Sequence, residues 1–346
     1  MKTKIYPLFF IAAVSLTACG GKAYSYKEHL SDYVINLPVS GSNFKILQLT
    51  DLHLADKDDR AKHYAYMDIL VDDAKTKYEG VNMIVVTGDL FTFASKSTAR
   101  ELFDHLEGYN VPWTVVFGNH DEQTYFSVEW MTGYLNNYGK HCLFKDIHQD
   151  DVGGNCNFAI HLTKDDKVQE QLIFMDSNRY HFGFDYNGYD YFKDNQIAWY
   201  EDIVKYSATL NGTTDPAKSL MFYHIPLPEI DTICAQDKMK MGDEGCTFVY
   251  GEKREASCPP KKNTGFFEVI DKLDATNGMF FGHDHVNDFE AVYNDVLFSY
   301  GLKSTDRIYF DEDMLGYKLI DLKLDDHSFT MRRTRISYDG KDRIYE

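Results

Sequence analysis

Residues 113–121 read Trp113-Thr-Val-Val-Phe-Gly-Asn-His-Asp121: a run of apolar and β-branched residues suited to a buried strand, then a glycine, then side chains able to hold a metal or a proton. The pattern recurs. Phe44–Thr50 is followed by Asp51 and His53, Val81–Thr87 by Gly88 and Asp89, Leu220–Tyr223 by His224, and Met279–Phe281 by Gly282, His283, Asp284 and His285. Each of these predicted strands ends in ligand-type side chains, and in open α/β sheets ligands collect beyond the carboxyl ends of the strands. The side chains can therefore converge although they run from residue 51 to residue 285. Glycine before Asp89, Asn119 and His283 is expected to let the backbone turn sharply as each strand exits.

Between the strands lie segments of helical period. Lys62–Tyr78 places Met67, Ile69, Leu70 and Ala74 on one side. Ser97 is expected to cap a helix over Thr98–Glu107 that Gly108 ends, and further helices are expected near Asn195–Tyr206 and Gly265–Leu273. Leu172–Met175 reads as another strand, and Leu315–Leu324 with Ser328–Ile336 as a closing hairpin about Asp325 and Asp326. Alternation of this kind indicates an α/β fold. Two stretches break the rhythm. Tyr180–Phe192 is crowded with Tyr, Phe, Asp and Gly, and either packs or meets substrate; within it His181 is a substrate candidate. Glu229–Thr264 is a long polar insertion with three cysteines and Pro259-Pro260, expected to cover a site.

The chain has 346 residues, 44% hydrophobic and 26% charged, which suits one large globular domain or two modest ones and excludes disorder as the main state. Its formal charge of -18 repels a phosphate backbone, so no nucleic-acid duplex is expected as a partner. The organisation expected is a signal peptide over 1–19, a tether over 20–31 and a single domain over 32–346. Lys2 and Lys4 precede the apolar run Leu8–Leu16, which is far short of the roughly 20 residues a spanning helix needs. Leu16-Thr-Ala-Cys19 resembles a bacterial lipobox, which implies a lipidated Cys19, an exported cell-envelope location and membrane attachment. An ordinary export signal that happens to contain a cysteine is the alternative. Cys142, Cys156, Cys234, Cys246 and Cys258 remain in the mature chain, where disulfides are permitted; Cys142 with Cys156, and one pair among the later three, is the expected scheme.

Asp51, His53, Asp89, Asn119, His224, His283 and His285 mix imidazole and oxygen donors, which suit Zn, Mn or Fe. Their number exceeds what one ion takes once water is included, so two ions are expected, with one bridging carboxylate. Gly118-Asn-His-Asp121 with Gly282-His-Asp-His285, and all five blocks in order, resemble the calcineurin-like metallophosphoesterase superfamily. The wording His224-Ile-Pro-Leu-Pro and Gly282-His-Asp-His-Val-Asn-Asp is similar to its small purple-acid-phosphatase-related branch. The resemblance implies a two-sheet β sandwich flanked by helices (α/β/β/α), with two divalent or trivalent ions. Asp51, His53 and His285 would hold one, Asn119, His224 and His283 the other, and Asp89 would bridge. His120 would face the substrate phosphate as general acid, with Asp121 either orienting it or making a loop hydrogen bond. Thr92 stands where purple acid phosphatases carry a tyrosine ligand, so the violet charge-transfer band should be absent.

Two ions about 3.5–4 Å apart lower the pKa of a shared water and clamp an in-line displacement. The activity this implies is phosphomonoester hydrolysis by a bridging hydroxide, on a small-molecule phosphoester or a phosphoprotein. The alternatives are a phosphodiesterase acting on nucleotides or lipid head groups, and a lipoprotein that binds phosphate compounds without turnover.

Overall fold

The computed structural model describes residues 25–147, 151–234 and 246–346. The signal, Cys19 and residues 20–24 of the tether lie outside them, as does the middle of the insertion; within 25–31 Tyr26 is buried, its hydroxyl donating to Asp202 Oδ2 at 2.9 Å.

Two sheets stack face to face. The larger contains β1 (Val34–Pro38), β5 (Phe158–Lys164), β6 (Lys167–Phe174), β9 (Ser219–Phe222), β10 (Cys246–Tyr250), β11 (Thr276–Phe281), β12 (Glu290–Tyr293) and β13 (Val296–Tyr300), in the order β1-β5-β6-β9-β11-β13-β12-β10. The smaller contains β2 (Asn43–Leu49), β3 (Met83–Thr87), β4 (Trp113–Val116), β14 (Gly316–Lys323), β15 (Phe329–Ile336) and β16 (Arg343–Tyr345), ordered β16-β15-β14-β2-β3-β4. A separate ribbon pairs β7 (Tyr180–Phe182) with β8 (Asn187–Tyr189).

Strand alternation sorts the side chains. Leu172, Phe174, Leu220, Phe222 and Phe280 face the inter-sheet core, while Ile173, Met175, Met221, Tyr223, Met279 and Phe281 face outward. Phe158, Phe174, Phe222 and Phe280 stack across four neighbouring strands at 4.7, 5.2 and 5.2 Å. Each such pair adds about 0.5–1.5 kcal/mol beyond its burial. The outward face of the larger sheet is covered by α4 (Asp194–Asn211) and α6 (Phe266–Leu273), whose Trp199, Tyr200, Ile203, Phe266 and Ile270 join that second core. Helices α1 (Arg60–Lys77), α2 (Lys96–Gly108) and α3 (Val128–Leu135) pack with the smaller sheet through Met67, Leu70, Leu102, Phe103 and Met131. The result is the expected α/β/β/α layering.

Local details depart from expectation. The cap of α2 is Ser95, not Ser97, because Asp56 reaches over from the preceding loop and accepts from Ser95 N at 2.8 Å and Thr98 Oγ1 at 2.7 Å. Cys142 and Cys156 are free thiols rather than a pair: Cys142 Sγ points at the Leu135 carbonyl, 3.8 Å away, while Cys156 is buried beside the Phe117 backbone. Within the insertion, Glu229–Ile233 forms α5 and Cys246–Tyr250 adds the edge strand β10.

Candidate metal centre

Strands β2, β3 and β4 are parallel, as are β6, β9, β11 and β13, so both sheets present carboxyl ends to one mouth. Asp51 and His53 leave β2, Asp89 leaves β3, Asn119 and His120 leave β4, His224 leaves β9, and His283 and His285 leave β11. The turns are tight enough to force Asp51, His53, Asp89 and His283 into positive φ, at 56, 49, 51 and 81°. Such backbone costs on the order of 1–3 kcal/mol per residue and persists where surrounding structure enforces it. Of the preceding glycines only Gly88 takes positive φ (88°). Gly118 and Gly282 serve close approach instead: a Cβ would lie 2.2 Å from Asp89 Oδ1 at the first and 2.1 Å from Thr50 Oγ1 at the second.

All seven proposed ligands are buried. Ligand atoms of Asp51, His53, Asp89 and His285 lie within 4.8 Å of one another, as do those of Asp89, His224 and His283, so Asp89 belongs to both clusters. Its Oδ2 is 3.4 Å from His53 Nε2 and 3.2 Å from His224 Nε2. His53 Nε2 and His285 Nε2 face each other at 3.0 Å, and His285 Nε2 stands 3.5 Å from Asp51 Oδ1. Donors around one ion at about 2.0–2.3 Å are separated by roughly 3–3.5 Å, so these spacings fit a cation. A second observation agrees. Asn119 Oδ1 and His283 Nε2 are buried with no hydrogen-bond partner, a costly state that a bound cation relieves where it takes the lone pair.

Outer contacts aim the rings. His285 Nδ1 donates to the Tyr309 carbonyl (2.9 Å) and His224 Nδ1 to the Thr87 carbonyl (2.8 Å), which leaves Nε2 of each facing the cup. His53 Nδ1 meets Thr92 Oγ1 at 2.8 Å. The residue in the tyrosine-ligand position therefore sits behind a ligand. Asn119 Nδ2 donates to Tyr180 Oη at 3.1 Å, and the Tyr189 ring meets His283 edge-on at 4.4 Å, so the aromatic stretch borders the site. His181 stays within that ribbon, with Nε2 2.8 Å from Asp185 Oδ1.

His120 is half-buried, its ring centroid 5.0 Å from that of His53, and its Nδ1 lies 2.7 Å from Gln123 Oε1. Gln123 orients it, not Asp121. The Asp121 carboxylate accepts from Gly118 N at 2.7 Å and Phe91 N at 3.0 Å, tying the loop after β4 to the loop after β3. The described part of the insertion packs on the loop after β11, where Cys258 N donates to Asp284 Oδ2 at 3.3 Å and Val286 N to Glu255 Oε1 at 2.9 Å.

Charge is balanced from beneath by a residue the motif pattern did not flag. Lys303 is buried and donates from Nζ to the Asp51 carbonyl at 2.8 Å; burial brings it down to about 8 against the pull of Asp51 and Asp89. Burial works to raise the Asp51 carboxyl, yet its hydrogen bond with His285 and the charges of His224, His285 and Lys303 hold it below the usual range. Burial likewise works to lower His224, but the charge of Asp89 raises it to about 10. A cation would take the place of that proton.

A model described as calcineurin-like phosphoesterase matches residues 44–287. The chain is 28% identical over 273 residues to probable inactive purple acid phosphatase 29 of Arabidopsis thaliana, covering 71% of this chain and 68% of that protein. It is 29% identical over 283 residues to phosphatase DCR2 of Saccharomyces cerevisiae, covering 75% of this chain and 47% of that one. The solved structure of a dimetal phosphatase from Danio rerio superposes with a TM-score of 0.55 at 12% identity, over 87% of this chain and 98% of that chain, and so shares the fold.

Proposed function

The chain belongs to the calcineurin-like phosphoesterase family, and from that premise we propose that it is a dinuclear-metal phosphomonoesterase. The observation that carries this reading is the Asp89 carboxylate, shared by two donor clusters. A bound pair of Fe, Mn or Zn ions supplies a water of lowered pKa and a clamp on the attacking and leaving oxygens. The protein's part is position and proton traffic. His53, His224 and His285 are aimed by Thr92, Thr87 and Tyr309, so the cup is preset before substrate arrives.

His120 is the proton donor to the leaving oxygen. Gln123 accepts from its Nδ1, which leaves Nε2 to move the proton, a role worth about 10²–10⁴ in rate. His120→Ala should keep its metals while losing far more activity on alkyl phosphates than on p-nitrophenyl phosphate, whose leaving group needs little protonation. Equal losses would remove the role.

The word "inactive" in the name of the Arabidopsis relative makes binding without turnover the second reading. Zero hydrolysis of both p-nitrophenyl phosphate and its bis ester, with two ions bound, would establish it; preference for the bis ester would establish a diesterase. We propose further that the chain is exported and held at a bacterial membrane by lipidated Cys19, which accords with Lys2, Lys4 and Leu8–Leu16. Cys19→Ser should abolish palmitate labelling and release the protein from membranes. Among the described residues, no helix is long and apolar enough to cross a membrane.

A further inference from the structure

Six of the eleven exposed large apolar side chains among the described residues stand on the loops and the ribbon that border the metal centre: Phe93, Tyr125, Phe182, Phe184, Ile308 and Tyr309. Phe93 follows Thr92, the partner of His53, and its N–H donates to the carbonyl of Gln123, the partner of His120. Tyr125 lies two residues beyond Gln123 and donates its N–H to the Ala94 carbonyl in the same pair of loops. On another flank, the Tyr309 ring stacks on His285 at 4.1 Å, with Ile308 beside it in sequence. On a third, Phe182 (80% exposed) and the fully exposed Phe184 rise from the ribbon whose Tyr180 and Tyr189 touch Asn119 and His283.

Apolar residues scattered singly over a surface need no explanation, but a grouping around one polar mouth does. Two of these positions are also strained. Phe93 has φ 55° and Ile308 φ 67°, and positive φ in a β-branched residue is an outlier. The fold thus holds apolar side chains in water at a backbone cost, beside the ligand cup.

We infer that the centre takes phosphomonoesters whose leaving group is apolar, an alkyl or acyl chain that lies across this collar while the phosphate enters the cup. The inference rests on the phosphoesterase reading: when the phosphate occupies the cup, the leaving group is the part of a monoester left to meet the rim. A formal charge of -18 disfavours docking the collar flat on an anionic bilayer, so the occupant is a single amphiphilic phosphoester.

The test is calorimetric titration of the metal-loaded full chain with n-alkylphosphonates from ethyl to octyl, alongside hydrolysis of ethyl phosphate. A chain lying on a surface loses about half its contact with water, so affinity should tighten about twofold per methylene, or roughly 60-fold across the six methylenes of the series. In a variant carrying Tyr125→Ser, Phe182→Ser and Phe184→Ser, the octyl-to-ethyl affinity ratio should fall at least about fivefold; because it is a ratio within one protein, partial loss of folded material cancels. Equal affinities along the series, with ethyl phosphate still hydrolysed, overturn the collar and leave the phosphatase standing. A gradient that survives in the triple variant overturns it too. So does tightening that appears only when the phosphonate is displayed on phosphatidylcholine vesicles, which assigns the rim to a bilayer. If no phosphonate binds and nothing is hydrolysed while two ions are present, the phosphatase reading falls and takes this inference with it.

Discussion

Asp51 and His53 are supported from the interior, whereas the side chains of Asn119 and His283 lean on a two-stranded surface ribbon and His285 leans on the exposed Tyr309. Behind the first group stand buried Thr92 against His53 Nδ1, the hydroxyl of buried Thr50 on Asp51 at 2.8 Å, and the ammonium of Lys303 on the Asp51 carbonyl. Behind the side chains of the second, Tyr180 accepts from Asn119 and the Tyr189 ring abuts His283, and both belong to the strands flanking the exposed Phe184 turn; the core reaches this group through His224, tied to Thr87, and through the His283 backbone N–H, which donates to the Asp51 carboxylate at 3.1 Å. Ligands held by short, exposed elements are held less firmly, since such elements open locally at low free energy. The lesson is that one centre is built to two stiffnesses, so its ions should differ in affinity.

The largest effect should come from the residue common to both halves. Asp89→Asn is expected to empty at least one position and to lower kcat/KM on p-nitrophenyl phosphate by ~10²–10³ or more, since a metal supplies several kcal/mol to the transition state. Elemental analysis that still finds two ions would contradict the bridge. Next comes Thr92→Val, which keeps shape and removes the hydroxyl behind His53. Loss of such an outer contact typically weakens a metal about 10–100-fold. Calorimetric metal titration should show that loss on one site alone, and equal weakening of both would erase the distinction drawn above. Tyr180→Phe should weaken the other site by about fivefold, the net worth of one hydrogen bond. The smallest effect needs no substitution: graded chelation of the unaltered protein should remove the ribbon-side ion at a few-fold lower chelator concentration, giving two steps in metal content where equal sites would give one.

The ligands themselves were legible because each directly follows an apolar run that can only be a buried strand, as Asp89 follows Met83–Thr87 and His224 follows Ser219–Phe222. Their supports were not. Thr92 lies 39 residues from His53, and Lys303 lies 252 from Asp51, so no local spacing links them. Asp121 shows what adjacency cannot decide: beside His120 it could either orient that ring or make a loop hydrogen bond, and the strand exit selects the second by turning its carboxylate onto Gly118 N and Phe91 N. Sheet edges were also hard to read. Val34–Pro38 and Glu290–Tyr293 are short and make sense only through their neighbours, Phe158–Lys164 and Val296–Tyr300. Ser97 resembled a cap as well as Ser95 does, and the choice was made by Asp56, some forty positions away.

The lysine under Asp51 bears on how the protein is loaded. An ammonium below the two acidic ligands offsets part of their charge before any ion arrives, so the cup is less costly to bury than two carboxylates alone would make it. What then fills the cup is decided by supply and by the general order of divalent affinities, and the composition of the mature centre becomes a record of where the protein was when it was filled.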